Sequence, residues 1–391
     1  MTAVTWLARL EEQAADRARA GLRRELRPRS EDDGLVDLAG NDYLGLARHP
    51  DVVAAGTATM KGYGLGATAS RLVRGSTDVH AALELALADL LGCEAALVYS
   101  SGYLANLGAV RALAALGGPV ASDAHNHASL VDGCRLAAGS RGRGAVVYRH
   151  ADPRALAAAL SGGEPTGGTG VAVTESVFSV HGDLAPLPAL RAEAGRHGAV
   201  LLVDEAHAVG LMGGGGGGVV AAGLAGRPDV VVTATLSKAL GAAGGVVAGP
   251  AAFIAHLVET SRTFIYDTGL PPAVAAGALA AVELIRGGYG RAARAELADR
   301  ARLAHDLLAA AGRPVPLPAA GVLSVPAPGP DEVLAWAAAC RERGVAVGCF
   351  RSPSTPDGES RLRLTISTGV ARPDFERALD VILDTTPMAA P

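Results

Sequence analysis

Lysine is almost absent from this chain: among 35 Lys and Arg in 391 residues, only Lys61 and Lys238 are lysines. Arginine thus supplies nearly every surface cation. A lysine kept against that bias points to work a guanidinium cannot do, above all a deprotonatable amine that forms a Schiff base. Lys61 stands before Gly62-Tyr63-Gly64 and reads as an ordinary surface residue. Cysteine is scarce too. Cys93, Cys134, Cys340 and Cys349 are far apart and form no CxxC, which argues against zinc, redox-motif and disulfide-framework readings and leaves free thiols. Neither sign of charge dominates, with a net charge of −4 and no basic stripe, so nucleic acid and an electrostatic membrane anchor have little support. Apolar runs stop at Asp, Arg or Pro well short of the ~20 residues that a membrane helix needs. The start, Met1-Thr2-Ala3-Val4-Thr5-Trp6 with Glu11 and Glu12 close behind, lacks the basic and apolar regions of a signal peptide, so a cytoplasmic protein is expected. GxxxxGK[ST], HExxH and GxSxG do not occur, which excludes P-loop phosphoryl transfer.

What is present suits a globular enzyme acting on small molecules: 49% hydrophobic and 19% charged residues, over a length that predicts two or three domains. Trp6, Leu7, Leu10, Ala14, Ala18 and Leu22 recur at helical spacing, predicting an amphipathic helix over 6–26, followed by a turn at Asp32-Asp33-Gly34. From about 41 to 283, apolar runs such as 95–99, 171–174, 199–203 and 230–233 alternate with Ala- and Leu-rich helical stretches. That pattern predicts a mostly parallel sheet covered on both faces. Polar residues that follow the strands then fall at the carboxyl edge, where open α/β sheets bind ligands, and these are Ser101, Glu175, Asp204 and Thr235. A helical stretch near 273–311 leads to shorter strands at 321–325 and 362–365, which predict a smaller α/β unit. The organisation expected is an N-terminal helical segment over 1–40, a large domain over 41–283 and a small C-terminal domain over 284–391. Gly213 to Gly218 follows Leu211-Met212 without an evident helix start and reads as a flexible loop.

Chemistry concentrates in four stretches. Asp204 ends an apolar strand, with His207 one turn on; its carboxylate can pair with a pyridinium nitrogen, or simply cap a helix. Thr235-Leu236-Ser237-Lys238 sets an amine beside two hydroxyls, so the amine can bond an aldehyde while the hydroxyls hold an ester phosphate. Ser100-Ser101-Gly102-Tyr103 follows a strand and opens a helix whose first amides suit a phosphate. Asn126-His127-Ala128-Ser129 supplies an imidazole that can stack on a planar ring. A metal centre drawn from Asp123, His125, His127, Asp204 and His207 is a rival that leaves Lys238 unexplained. A ligand-binding protein without chemistry is a second rival.

Asn41-Asp42-Tyr43-Leu44-Gly45-Leu46, NHASL (126–130), TESVFSVHGD (174–183), VDEAHAVG (203–210), TLSKALG (235–241) and RLRLT (361–365) stand in the order seen in the α-oxoamine synthases, which this chain resembles over nearly its whole length. These are fold-type I pyridoxal 5'-phosphate (PLP) transferases, so the resemblance implies a large domain with a mostly parallel seven-stranded sheet and a smaller C-terminal α/β domain. TLSKALGAAGGVV, FIYDTGLPP and FRSPSTPDGESRLRLT look most like the branch of biotin biosynthesis that joins L-alanine to a pimeloyl thioester, pimeloyl-CoA or a pimeloyl carrier protein. Other branches use glycine with acetyl-CoA or succinyl-CoA, or serine with palmitoyl-CoA. By motif position, Lys238 resembles the lysine that links PLP, Asp204 the partner of the ring nitrogen, and His127 the residue stacked on the ring. His207 and Ser179 resemble the groups near the ring oxygen. Ser101, Gly102, Tyr103 and Thr235 match phosphate-side positions. Thr268 matches a residue that reaches the partner's phosphate, which implies a homodimer with shared sites. Asn41 and Arg363 match the amino acid site, with Arg361 two residues away on the same strand face. Arg23 resembles a residue near the acyl entrance, and Ser70 a position bordering the amino acid side chain. His181 stands where relatives often have Asp, a change expected to matter little, and SRLVRG (70–75) replaces a more glycine-rich loop. No metal is implied.

Overall fold

Eleven strands organise the chain: β1 (Val36–Leu38), β2 (Ala95–Tyr99), β3 (Gly117–Asp123), β4 (Val146–Tyr148), β5 (Thr169–Glu175), β6 (Ala199–Asp204), β7 (Val230–Thr235), β8 (Gly245–Gly249), β9 (Val322–Pro326), β10 (Val345–Phe350) and β11 (Arg361–Thr365). The computed structural model describes residues 5–141, 144–162 and 167–387, so Met1 to Val4 of the N-terminal reading lie outside it. Seven strands form one sheet in the order β2-β8-β7-β6-β5-β3-β4. The β6/β7, β5/β6, β3/β5 and β3/β4 pairs are parallel, whereas β8 runs against both its neighbours. This is the mostly parallel α/β sheet that the apolar runs predict. Successive residues of one strand feed opposite faces: Leu201 and Val203 join one core cluster and Leu202 the other, just as Val230 and Val232 are separated from Val231. Burying each such side chain contributes ~1.5–3 kcal/mol, which is why these strands carry no polar face.

The other four strands form a second sheet in the order β1-β10-β11-β9. β1 pairs in parallel with β10 through Val36↔Val345 and Leu38↔Val347. The segment over 1–40 therefore is not helical to its end; it closes as a strand of the C-terminal sheet. Its helix is also shorter than predicted, Trp6–Arg19. Gly21 stops it at φ 65°, with Gly21 N donating to Ala18 O and Leu22 N to Arg17 O, a left-handed helix terminus that a residue with a Cβ adopts poorly.

The glycine run also departs from its reading. Gly213–Gly215 is a 3-10 turn and Gly218–Ala221 a short helix, and Gly215 to Gly218 are buried. The cause is Glu205. Its buried carboxylate accepts from Gly218 N (2.8 Å), Val219 N (2.6 Å) and Ser176 Oγ (2.7 Å). Among the described residues no helix is long and apolar enough to cross a membrane.

Candidate active site

Strand register assembles the site. Glu175 and Asp204 end β5 and β6 and face each other across the ladder, and Thr235 ends β7 in the same sheet. Beyond β7 the chain turns sharply at Gly241 (φ 64°), whose amide donates to Lys238 O at 2.9 Å, and this tight turn holds Lys238 at the sheet edge. His207 follows Asp204 on an isolated turn closed by Ala208 N to Glu205 O, not on a helix.

A hydrogen-bonded chain runs through the site. Lys238 Nζ lies 2.8 Å from His207 Nε2, and His207 Nδ1 lies 2.6 Å from the Tyr43 hydroxyl. Tyr43 also donates to Asn41 Oδ1 at 3.1 Å, and Arg363 Nη2 donates to the same oxygen at 2.8 Å. Burial pushes His207 well below the ordinary imidazole range, helped by the positive charges of Lys238 and Arg363, so the ring is neutral. A neutral ring has one donor and one acceptor nitrogen. An ammonium on Lys238 donates to Nε2, leaving Nδ1–H to donate to Tyr43; a neutral amine reverses the order. In the reversed order the Tyr43 hydroxyl gives its one proton to Nδ1 and no longer donates to Asn41, whose oxygen keeps its bond from Arg363, so the chain accommodates the lysine with or without its proton.

The lysine is tuned for that exchange. Burial lowers its pKa to about 8 against the opposing pull of the Asp204 and Glu175 charges. Tyr43 is pushed up to about 12 by burial and stays a phenol. Glu175 rises well above the carboxylate range through burial and the nearby Asp204 charge, although His127 N (2.6 Å) and Ser179 N (3.2 Å) both donate to it. Asp204 is oriented by Asn106 Nδ2 at 2.7 Å and Ala206 N at 2.9 Å, a bond within its own turn instead of a helix cap. Asn106 Nδ2 also donates to Ser129 Oγ, which lies 2.7 Å from His127 Nδ1. The ring of His127 is exposed.

The helix Gly102–Ala114 points its N-terminus at Thr235. The Ser101 hydroxyl is used as its cap, accepting from Leu104 N at 3.2 Å. The amides of Gly102 and Tyr103 have no hydrogen-bond partner among the described residues. The backbone comes close here: a Cβ on Gly245 would lie 2.5 Å from Gly102 Cα, and one on Gly102 would crowd Thr235 Cβ at 3.0 Å. The Thr235 and Ser237 hydroxyls, 2.7 Å apart, complete a cradle of donors at a helix N-terminus, a natural seat for a phosphate. An exposed imidazole, an amine with lowered pKa, an unpaired buried carboxylate and this cradle together fit PLP.

Other predicted side chains lie elsewhere in the chain. Tyr103 is exposed, with its hydroxyl on Asp132. Thr268 is exposed on an isolated bridge to Ser70, which precedes the π-turn Arg71–Gly75. Arg71 anchors that loop through both nitrogens to Glu84. Arg23 lies on the 22–27 segment, paired with Glu25 at 3.3 Å and apart from the Lys238 chain. Arg361 is held by Asp357 and Glu359, each at 2.6 Å, whereas Arg363 is buried without any ion pair among the described residues. Lys61 is exposed. No cluster of three or more metal-ligand residues occurs among the described residues. His125 instead stacks on His150 (3.8 Å) and His181 (5.0 Å), and His181 Nε2 bonds Asp357 at 2.9 Å, so this substitution ties two loops together. Sequence reading missed Tyr43 and Asn106 as site residues; the only signal for Tyr43 was its place in the NDYLGL motif.

A family model described as aminotransferase class I and II matches residues 33–382. The chain is 49% identical over 382 residues to the 8-amino-7-oxononanoate synthase of Mycobacterium avium (strain 104), covering 97% of this chain and 96% of that protein. A serine palmitoyltransferase variant from S. paucimobilis with a PLP–myriocin aldimine bound has the same fold at TM-score 0.87, with 29% identity over 98% of both chains. The 8-amino-7-oxononanoate synthase of Francisella tularensis superposes at TM-score 0.75 over 90% of this chain and 98% of its own, and at 24% identity it supports the fold. Match length and identity agree: the chain belongs to the aminotransferase class I and II family, among the relatives named 8-amino-7-oxononanoate synthase.

Proposed function

We propose that this protein is a PLP-dependent acyltransferase that condenses L-alanine with a pimeloyl thioester, releasing carbon dioxide and the carrier thiol and forming 8-amino-7-oxononanoate for biotin synthesis. One observation carries the reading beyond the relatives' names. Asp204 and Arg363 are both buried and lack ion pairs among the described residues, and they flank the one lysine at the sheet edge. A pyridinium satisfies the first charge and an amino acid carboxylate the second.

Bound PLP supplies an aldehyde that binds amines and a protonated ring that takes up the electron pair left on the substrate Cα. The chain's own residues do the rest. The Gly102 and Tyr103 amides with Thr235 and Ser237 would hold the phosphate, His127 would cover the ring, and Asp204 would keep a proton on the ring nitrogen. His207 and Ser179 donate toward the ring oxygen. Arg363 grips the alanine carboxylate through its planar fork, aimed by Asn41. Lys238 would be the residue that holds the aldehyde and, as a free amine, the base for the alanine Cα proton; a pKa of about 8 leaves part of the amine neutral for that task. The relay through His207 and Tyr43 keeps that amine hydrogen-bonded before and after it gains the proton. Ser70 borders the alanine methyl, Arg23 is the candidate for the pimeloyl carboxylate, and Thr268 serves the second copy's phosphate in a homodimer. Borohydride reduction of the yellow holoenzyme and peptide mapping tests the core of this reading. The label is expected on Lys238, and thiol release with alanine and pimeloyl-CoA is expected to vanish in Lys238→Ala; label on Lys61 would refute it.

A further inference from the structure

Three histidines stand face to face outside the Lys238 chain. The His125 ring lies between His150, at 3.8 Å with the planes 15° apart, and His181, at 5.0 Å and 25°. One end of this column is fixed to the large sheet. His150 bonds Asp123 Oδ1 at 2.8 Å through Nδ1 and Asp183 Oδ2 at 2.7 Å through Nε2, and Asp123, which ends β3, also accepts from His125 N and Ala151 N at 2.8 Å each. Burial alone would lower His150, but its two carboxylate partners push it up to about 9, so it carries a proton in neutral solution. Burial and the flanking His150 and His181 hold His125 below the ordinary imidazole range, which leaves a neutral plate beside a charged one. Phe178 closes the column edge on, 4.3 Å from His150.

The other end crosses to the second sheet. His181 lies in the turn of a hairpin, Val177 to Leu184, that is closed by Phe178 N to Asp183 O (3.0 Å) and Gly182 N to Phe178 O (2.9 Å) and that carries Ser179. Its Nε2 lies 2.9 Å from Asp357 Oδ2, and Arg361 Nη2 donates to the same oxygen at 2.6 Å. Asp357 belongs to the 351–360 loop that joins β10 to β11, the two strands that present Phe350 and Arg363, with the guanidinium 5.1 Å from the ring centroid. Among the described residues, His181 to Asp357 is the only side-chain hydrogen bond between that loop and residues 41–283; the loop's other outside side-chain contacts run to Arg23 and Arg24. The two side chains are 18% and 25% exposed, so water screens this contact less than it does a surface pair.

We propose that His181 is a positioning residue: through Asp357 it fixes the β10–β11 hairpin, and with it Arg363, against the segment that carries Ser179, so that the amino acid carboxylate meets a preset guanidinium. The proposal rests on the reading of Arg363 as the carboxylate site, and its test keeps the two apart. Three variants grade the contact. His181→Gln keeps a donor near the place of Nε2, His181→Ala removes it, and His181→Asp sets a carboxylate against Asp357. Hydrogen exchange of the holoenzyme, read by mass spectrometry over 351–365, is expected to stay near wild type in His181→Gln and to be at least ~5-fold faster in the other two. The alanine KM should follow the same order, rising less than ~2-fold in His181→Gln, about 3–10-fold in His181→Ala and further in His181→Asp, because a charge-assisted hydrogen bond is lost in one and a like-charge contact made in the other. The kcat at saturating alanine and the dissociation constant for PLP should stay within ~2-fold, a split that general loosening of the fold would not give. His181→Ala/Asp357→Ala should be no worse than Asp357→Ala, as for two ends of one contact. Exchange unchanged in His181→Asp, or faster exchange with an unchanged alanine KM, overturns the proposal, and so does a loss of kcat and PLP affinity as large as the change in KM. A wild type that does not respond to alanine defeats the carboxylate reading, while the exchange still decides whether His181 holds the hairpin.

Discussion

Lys238 should titrate in the cofactor-free protein at about 8, against 10.5 for an ordinary lysine, because its surroundings solvate the ammonium poorly. At pH 7.5 that makes roughly a quarter of the amine neutral, against about one molecule in a thousand for an unshifted lysine. Asp204 and Glu175 oppose the shift. Asp204→Asn removes one of these negative charges and should move the midpoint below 8. The sign for stability follows from the direction: the unfolded lysine holds its proton between pH 8 and 10.5 while the folded one has lost it, so this group's contribution rises with pH across that window. The assay is brief acetylation of cofactor-free protein at a series of pH values, with mass spectrometry of the peptides holding Lys61 and Lys238. These are the only two lysines, so two signals give the whole answer. A Lys238 midpoint near 10, or one that rises in Asp204→Asn, refutes the electrostatic account of the site.

Asp204→Asn should also cut kcat far more than it raises the alanine KM, since the lost charge acts on the ring nitrogen; near-normal exchange of the alanine Cα proton in the variant would contradict that role. Ser70→Thr should flatten or reverse a preference for alanine over glycine in kcat/KM, because discriminating one methyl is worth about 10–200-fold; equal effects on both amino acids would mean that Ser70 only shapes its loop. Arg363→Lys should raise the alanine KM at least ~10-fold through loss of the bidentate fork, whereas Arg361→Lys, whose native partners are Asp357 and Glu359, should change it little. Gly217→Ala puts a Cβ 2.7 Å from Glu205 Oε2 at φ 97°, so a loss of ~1–3 kcal/mol in a denaturant titration is expected, and an unchanged midpoint would show that the glycine run is loose after all.

The carboxyl-edge residues were legible because strands buried on both faces read as unbroken apolar runs, so the first polar residue after each run marks the edge. Asp204 and Glu175 sit there for that reason. β1 was not legible. Three residues, Val36-Asp37-Leu38, are too few for a period to show, and the strand that makes them one begins at Val345. The glycine run misread as loose takes its order from Glu205, whose burial raises its pKa to about 7 and whose role no local pattern reveals. Period-two spacing put Arg361 and Arg363 on one face but could not rank them. The structure distinguishes them by their partners: Asp357 and Glu359 pair with Arg361, while Arg363 has no ion pair among the described residues.

Two asparagines explain how such a site persists in a folded protein. An unpaired charge taken out of water costs several kcal/mol, which proteins usually offset with an opposite charge. Here the Asp204 carboxylate is held by Asn106 and the Arg363 guanidinium by Asn41, neutral amides that supply hydrogen bonds without cancelling charge. An arginine at 106 or an aspartate at 41 would stabilise the empty pocket and close it to ligands, because the incoming pyridinium or carboxylate would have to displace an internal ion pair. With amides in those places the electrostatic cost remains, so under the proposed function part of the binding energy for cofactor and amino acid is already built into the fold. The same reasoning separates Arg363 from Arg361 and Asp204 from Glu205, neighbours of like type whose partners are complete and which have nothing left to offer a substrate.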